Sequence, residues 1–259
     1  LQSIAGTAAD GPFFMLNLIA FREKACYEDG RETELTGREA DELYAPLDFL
    51  AEIGAAPRFA ANADTTLIGD GQTWDQVAIV EYPSAKAFFS MVNDPEFQAR
   101  AIHKTAGVAR TLVMRSKLMP SPLAEDFMPA PSPYPTTPED PAIEVVQLMK
   151  YRDQAEYPSD SEHPAASGEE AVALYNKSAT TAATKLGAYP TASFEVNAVL
   201  IGDDRNWDEL WIDHMPSGAA FQAHLSDPDR LQAEVHLEAG LQDAYTVLTL
   251  PLLNSLDPL

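Results

Sequence analysis

The sequence has a single cysteine among its 259 residues, Cys26. One cysteine excludes an internal disulfide and any zinc site built from several cysteines. This scarcity fits a reducing compartment. The five histidines are also spaced too widely for a dedicated metal site, so we expect no bound metal: they are His103, His163, His214, His224 and His236.

Basic residues are scarce as well. Lysine and arginine together number 17 against 40 aspartates and glutamates, which gives a formal net charge of −23. Nucleic acid and anionic membrane surfaces repel such a chain, so we expect neither as a partner. A solvated acidic surface explains the charge and says nothing about catalysis.

Long apolar runs and common catalytic motifs are missing. No stretch approaches the roughly 20 apolar residues that span a bilayer, and the opening residues 1–12 lack the basic and apolar parts of a secretory signal. The sequence has no phosphate-binding glycine loop, dinucleotide fingerprint, nucleophile elbow or HExxH motif. We therefore expect a cytoplasmic protein that uses no nucleotide cofactor.

What the sequence does contain is one stretch that occurs twice. Residues 67–107 align without a gap with residues 200–240. The identical positions include Trp74 and Trp207, Asp75 and Asp208, and His103 and His236. Such self-similarity indicates a tandem duplication, and the chain length suits two small domains.

Each copy shows the same order of elements: strand, helix, strand, strand, helix, strand. In the first copy we place them at 12–21, 38–53, 58–69, 74–82, 83–107 with a break at Asp94-Pro95, and 111–118. In the second copy we place them at 143–151, 168–186, 192–202, 207–215, 216–240 and 245–250. This order predicts an α+β protein made of two ferredoxin-like (βαββαβ) repeats, each an antiparallel sheet with two helices on one face.

The other face of each sheet must also be buried. We expect the two sheets to pack against each other as an intrachain α/β barrel, which makes the chain a monomeric pseudo-dimer or a homodimer. The domain boundaries follow: repeat 1 at 12–118, a linker at 119–142 with eight prolines, and repeat 2 at 143–251. The proline spacing predicts a semi-rigid linker that packs across the surface.

Two motifs resemble the domain-of-unknown-function family 1330. That family has a strand ending in an E-[FY]-P-S box and then a helix with an S-P-E-[FY]-Q-like box, which residues 81–84 and 94–98 resemble. The second copy departs from both boxes, with His214 in place of Glu81 and Arg230-Leu231 in place of Phe97-Gln98. The resemblance implies the dimeric α/β-barrel superfamily. Its members include cofactor-free monooxygenases, muconolactone isomerase, haem-degrading enzymes, chlorite dismutase and proteins that only bind small molecules.

Three histidines are the candidate catalytic residues. His103 and His236 lie near the end of the second helix of each copy, where an imidazole can transfer a proton, bind haem iron or simply bond a last-turn carbonyl. His214 lies on a strand whose alternation groups Trp211 with Asp213 and places His214 on the other face. We hypothesise that His214 shares a pocket with Gln147.

The candidate ligand-binding residues also come in pairs. Asn17 and Gln147 interrupt apolar strands, so each amide faces a ligand pocket or bonds a neighbouring helix end. Arg22 and Arg152 either hold an anionic ligand or pair with a carboxylate of the chain, such as Glu39 or Glu170. Trp74 and Trp207 either wall a pocket or pack under the turn while Asp75 and Asp208 bond turn amides.

The leading functional hypothesis is a small-molecule pocket protein that binds or converts an apolar or aromatic carbonyl compound. If it is catalytic, we expect proton transfer, isomerisation or cofactor-independent oxidation. Asn17 or Gln147 then polarises a ligand oxygen, a histidine moves the proton, and Arg22 or Arg152 orients an anionic group. The alternatives are haem binding through His103 or His236, and a non-enzymatic ligand-binding or assembly module with an exposed apolar patch.

Overall fold

A computed structural model describes residues 11–124, 127–160 and 163–256. Most of residues 1–12, where the sequence lacks the features of a secretory signal, lie outside the described part. None of the helices in the described ranges is long and apolar enough to cross a bilayer.

The two halves of the chain carry the same elements in the same order. The first half consists of β1 (Phe13–Phe21), α1 (Gly37–Tyr44), α2 (Leu47–Glu52), β2 (Ala56–Ile68), β3 (Gln76–Tyr82), α3 (Ala85–Val92), α4 (Pro95–Gly107) and β4 (Val108–Leu118). The second half consists of β5 (Ile143–Tyr151), α5 (Gly168–Thr184), β6 (Tyr189–Ile201), β7 (Glu209–Met215), α6 (Gly218–Leu225), α7 (Pro228–Gly240) and β8 (Leu241–Asn254).

The eight strands close into one antiparallel barrel. Their order around it is β1-β3-β2-β8-β5-β7-β6-β4, so the halves meet where β2 pairs with β8 and where β4 pairs with β6. The predicted α+β class and the intrachain α/β barrel are confirmed. Closure leaves no unpaired strand edge at either seam.

Strand alternation divides each sheet between two cores. In β1, Phe14 and Leu16 point into the barrel, whereas Met15 and Asn17 point outward under the helices. Apolar side chains from both halves fill the barrel interior, including Leu18, Ile79, Met114, Val146, Leu148, Phe194, Leu210, Ile212 and Val247. The barrel is therefore a packed core.

The helix breaks lie at prolines. The breaks predicted at the Asp-Pro pairs are confirmed, because Asp94 and Asp227 cap the helices that begin at the following proline. The single helix predicted over 38–53 is wrong. The chain forms two helices there because Pro46 interrupts the ladder between Tyr44 and Leu47.

Close glycine contacts fix the helices on the sheet. The backbone of Gly37 lies so near the carbonyl oxygens of Arg22 and Gly107 that a Cβ would overlap them. Gly168 meets Arg152 and Gly240 in the same way in the second half. The start of each half's first helix is therefore pressed against the end of its last helix.

The proline-rich segment packs against the second half. Asp140 accepts hydrogen bonds from the N–H groups of Gly218 (2.7 Å) and Ala219 (3.0 Å), which satisfies the start of α6. The Ser217 hydroxyl donates to the Tyr134 carbonyl at 2.8 Å. These bonds tie the described part of this segment to the surface.

Candidate functional site

Two cavities lie in equivalent places, each between the outer face of a sheet and its helices. The first-half cavity, lined mainly by β1, β3, α1 and α4, has a volume of about 600 Å³. The second-half cavity, lined mainly by β5, β7, α5 and α7, has a volume of about 120 Å³. Each also takes residues from the other half: Leu200, Ile201 and Leu252 line the first, and Leu67 and Ile68 line the second.

The wall of the first-half cavity is mostly apolar and aromatic. Its members include Met15, Ile19, Leu50, Val80, Tyr82, Phe88, Met91 and Phe97. A volume of this size lies in the range of ordinary ligand pockets and holds several fused rings. Ala78 of the first half aligns with Trp211 of the second, and each lines its cavity. The larger tryptophan side chain is one cause of the smaller second-half cavity.

Asn17 contributes a hydrogen-bond acceptor to the first-half cavity. Its amide nitrogen donates to the carbonyl oxygens of Met15 (3.1 Å) and Ala78 (3.3 Å). Both bonds use the nitrogen, which leaves the amide oxygen as the group that Asn17 offers a ligand. Asn17 therefore lines a pocket, as one of its two sequence interpretations expects, but its donor capacity is already engaged.

A carboxyl and an ammonium group from two helices also line this cavity. Asp41 comes from α1 and Lys104 from α4. Burial raises the pKa of Asp41, and the nearby Lys104 and Arg38 charges oppose this change. Burial lowers the pKa of Lys104, and the Asp41 charge opposes this. The two pKa values are thus drawn toward each other.

Asp41 has capacity left for a ligand. Its Oδ1 is buried without a hydrogen-bond partner among the described residues. Lys104 Nζ lies 5.2 Å from the centre of the Tyr44 ring, so an aromatic face stabilises the ammonium form. Arg38 is anchored by bonds to Asn62 Oδ1 (3.1 Å) and the Asp75 carbonyl (3.3 Å).

The second-half cavity has a carboxyl in its wall. Asp213 accepts a hydrogen bond from Gln147 Nε2 at 2.9 Å. Burial raises the pKa of Asp213 to about 7, the Glu144 charge adds to this rise, and the Gln147 bond opposes it. Asp213 is therefore an acid that exchanges its proton near neutral pH.

His224 and Arg230 bring two unsatisfied groups to the same cavity. Each side chain is 8% exposed, and His224 Nδ1 and Arg230 Nε have no partner among the described residues. Burial and the Arg230 charge lower the pKa of His224 to about 4, so its ring is neutral at physiological pH. Arg230 makes long bonds to the Leu225 carbonyl (3.3 Å) and Glu234 Oε1 (3.4 Å).

Aligned positions of the two halves carry opposite chemistry. The polar wall residues of the second half replace apolar ones of the first: Asp213 for Val80, His224 for Met91 and Arg230 for Phe97. The exchange runs the other way at Lys104, which aligns with Leu237. The two cavities therefore share a position in the fold and differ in what they can bind.

His103 and His236 lie away from both cavities. His103 Nδ1 is 2.6 Å from the Tyr27 hydroxyl, and His236 Nδ1 is 2.8 Å from the Tyr157 hydroxyl. Neither is among the described residues that line a cavity. Their partners are side chains rather than last-turn carbonyls, and a catalytic role for them stays a prediction.

His214 lies on the opposite face of β7 from the second-half cavity. The predicted alternation is confirmed, because Trp211 and Asp213 line the cavity while His214 bonds Glu144 at 3.1 Å. The hypothesis that His214 shares a pocket with Gln147 is wrong, because successive side chains on a strand point to opposite faces. Asp213 is the partner of Gln147.

The two arginines do not pair with the carboxylates named as examples, Glu39 and Glu170, although Arg152 does meet a carboxylate of the chain. Arg152 lies 3.4 Å from Glu156, and Arg22 has an exposed side chain. Glu39 and Glu170 instead close the capping boxes of α1 and α5. No arginine of this pair lines either cavity in the described part of the chain.

Both tryptophans of the repeated motif are inside the barrel. Trp74 and Trp207 are each 3% exposed and pack against Tyr245, with ring centres 5.5 and 5.3 Å away. Asp75 and Asp208 accept bonds of 2.7 Å from strand N–H groups rather than turn amides. Both rings therefore pack in the barrel core. A ligand contact for either ring stays a prediction.

Sequence reasoning gave no role to Asp41, Lys104, His224 or Arg230. A signal for two of them was present in the broken helix. Lys104 follows Phe97 by two turns on the buried face of α4, and Arg230 takes the place of Phe97 in α7. A cation on the apolar face of a helix marks a cavity or a buried ion pair. No group of three potential metal ligands was found among the described residues.

Comparison with known proteins supports the fold. No protein-family model and no curated protein matches the sequence. An anthrone oxidase-like protein of known structure is 12% identical over 94% of this chain and 93% of that one, with a TM-score of 0.55. A protein of unknown function from Rhodopseudomonas palustris is 30% identical over 46% of this chain and 91% of that one, with a TM-score of 0.42. A chlorite dismutase variant from Candidatus Nitrospira defluvii is 11% identical over 94% and 93%, with a TM-score of 0.48. The chain has the dimeric α/β-barrel fold.

Proposed function

We propose that the first-half cavity binds an apolar, ring-bearing molecule with a carbonyl or phenol oxygen, and that Lys104 and Asp41 exchange a proton with it. The observation that carries this proposal is the 600 Å³ apolar cavity with an acid and a base in its wall. The aromatic lining favours a ring system, and the few polar groups set its orientation.

Lys104 and Asp41 suit proton transfer because burial moves both pKa values toward neutrality. Burial favours the neutral amine of Lys104, whereas the Asp41 charge and the Tyr44 ring favour its ammonium form. The proposed step uses the neutral amine, which takes a proton from the carbon next to the ligand carbonyl. In the same step Asp41, in the protonated form that burial favours, gives a proton to the ligand oxygen, and the product is the enol. This step begins an isomerisation and equally an oxidation by dioxygen.

The name of one structural neighbour suggests a probe. An anthrone oxidase-like protein shares the fold at 12% identity, which supports the fold and leaves the substrate as a proposal. Anthrone is a three-ring ketone with an acidic carbon, so its size and chemistry match the first-half cavity.

The described lining does not fit haem, the alternative derived from the sequence. No histidine or cysteine lines the first-half cavity in the described ranges. Burial raises the pKa of Tyr44 to about 12 and that of Tyr82 further, so neither is a ready tyrosinate ligand. His224 lines a cavity of only about 120 Å³, which is too small for the macrocycle.

The internal sequence identities support a finer proposal about origin. Both halves descend from one ferredoxin-like unit, with boundaries at 12–118 and 143–251. The motifs at 81–84 and 94–98 favour an origin in domain-of-unknown-function family 1330.

The test is anaerobic calorimetric titration with anthrone, together with deuterium exchange at its acidic carbon followed by NMR. Ala78→Trp places in the first-half cavity the residue that the second half has at that position, Trp211, and we expect it to abolish binding. Lys104→Leu introduces the second-half residue Leu237, and we expect binding to persist while exchange slows at least about tenfold.

The outcomes separate binding from catalysis. Anthrone binding that survives Ala78→Trp would place the ligand elsewhere and refute the proposed site. Exchange that is unchanged in Lys104→Leu and in Asp41→Asn would leave a binding protein without the proton-transfer step.

A further inference from the structure

The second-half cavity is built from polar groups that have no counterpart in the first half. Asp213, His224 and Arg230 line it at positions where the first half has valine, methionine and phenylalanine. Burying polar groups that lack hydrogen-bond partners costs folding free energy. A ligand that forms hydrogen bonds with these groups offsets that cost.

Two of these groups have a free donor or acceptor and almost no contact with solvent. Arg230 Nε and His224 Nδ1 lack partners in the described part of the chain, and both side chains are 8% exposed. Buried polar atoms in folded proteins are nearly always bonded. A guanidinium N–H that is not bonded within the described part of the protein is a donor for an anion, and carboxylate is one of the groups whose geometry it matches.

The charge in the cavity also fits a carboxylate. Arg230 is the one cation among its described lining residues. Asp213 Oδ2 accepts from Gln147, so Asp213 in its protonated form can donate through Oδ1. A carboxyl that shares its proton with a second carboxylate is a stable arrangement where both are buried.

The size of the cavity limits the ligand. An engineered protein cavity of about 150 Å³ holds benzene, which has six heavy atoms. A volume of about 120 Å³ therefore admits five or six heavy atoms. Besides the polar groups, the wall presents Met149, Met215, Phe221 and Leu225, which suit a short hydrocarbon chain.

We propose that the second-half cavity is a separate site for a short-chain monocarboxylate of three or four carbons, held by Arg230, His224 and Asp213. Arg230 Nε donates to one carboxylate oxygen, and Asp213 donates to the other. His224 Nδ1 completes the polar wall, and the methionines pack on the chain. The site does not depend on what the first-half cavity binds.

Calorimetric titration with butyrate tests this site, with butyramide as a neutral analogue of the same size. We expect butyrate to bind at millimolar concentration or tighter and butyramide at least about tenfold more weakly, because a charged hydrogen bond is lost. Arg230→Phe and His224→Met restore the first-half residues and should each weaken butyrate binding. Lys104→Leu, which changes only the first-half cavity, should bind butyrate normally.

Methionine methyl NMR locates the site in the unmodified protein. Butyrate should shift the signals of Met149 and Met215 and leave those of Met15 and Met91, which line the first-half cavity, unchanged. No binding at millimolar butyrate, equal binding of butyramide, or shifts confined to Met15 and Met91 would each overturn the proposal. The NMR and the butyramide comparison decide the matter even where Arg230→Phe fails to fold.

Discussion

The protonation of Asp213 depends on its burial in the fold. Its pKa is about 7 in the folded protein against an ordinary value of 3.8. The folded protein therefore keeps a proton that the unfolded chain releases between these values. Protonated Asp213 makes its full contribution to the free energy of unfolding below about pH 4. This contribution is lost as the pH rises through about 7.

Asp213→Asn should remove this pH dependence. The asparagine keeps an oxygen for Gln147 and cannot ionise, so the variant should gain free energy of unfolding relative to the unsubstituted protein by roughly 1–4 kcal/mol between pH 4 and pH 8. Urea unfolding at both pH values measures the difference. Asp48→Asn is the control, because Arg100 lowers the pKa of that exposed carboxyl and no such gain should appear. An equal pH response of the Asp213→Asn and unsubstituted proteins would contradict the assignment.

At the level of single residues, the sequence predicted positions better than roles. An amide in an apolar strand indicates either a pocket or a bond to a helix end, and both Asn17 and Gln147 line cavities. Lys104 is harder to recognise from sequence, because a single lysine in a helix is usually exposed to solvent. The spacing from Phe97 places Lys104 on the buried face of α4, whereas its meeting with Asp41 depends on the packing of α1 against α4, which local sequence does not show.

Among the helices, glycine contacts fix the geometry that brings Asp41 and Lys104 to one cavity. A Cβ on Gly107 would overlap the carbonyl oxygen of Gly37, the first residue of α1. The helices cannot separate without disturbing the cavity wall.

Gly107→Ala should therefore destabilise the protein by roughly 1–3 kcal/mol, as overpacking usually does. Thermal unfolding measures the loss. Gly11→Ala is the matched control, because no atom of the described residues lies within 4 Å of its Cβ position, and its melting temperature should hardly change. Equal melting temperatures for the two variants would show that the helix contact is not tight.

The order of the elements could be predicted because each half repeats the same hydrophobic periodicity. The differences from prediction are the bounds of several elements and the single helix expected over 38–53. Pro46 splits a helix whose apolar spacing continues across it, and β8 extends to Asn254 because it pairs with both β2 and β5. Long-range pairing of this kind leaves little trace in local sequence.

Over the whole molecule, one arginine joins the two halves at an end of the barrel. Arg205 donates to Asp70 of the first half (3.2 Å) and to Asp243 (2.8 Å) and Tyr245 (2.6 Å) of the second. It also bonds Asp203 and lies 4.7 Å from the Trp207 ring centre. The cluster connects a turn of each half to the barrel core.

Arg205→Ala should lower the free energy of unfolding by roughly 1–3 kcal/mol, because several carboxylates lose their shared donor. Arg31 offers a close control, since it also bonds an aspartate two residues earlier but lies on an exposed loop. Arg31→Ala should have almost no effect. Matching unfolding curves for the two variants would show that the link between halves contributes nothing.

The most direct test of the account is a methionine methyl NMR spectrum recorded with anthrone and, separately, with butyrate. The chain has seven methionines, and two line each cavity. Anthrone is predicted to shift Met15 and Met91, and butyrate to shift Met149 and Met215. Shifts of the same methionines by both compounds, or of none by either, would contradict the claim that the two halves hold cavities of different chemistry.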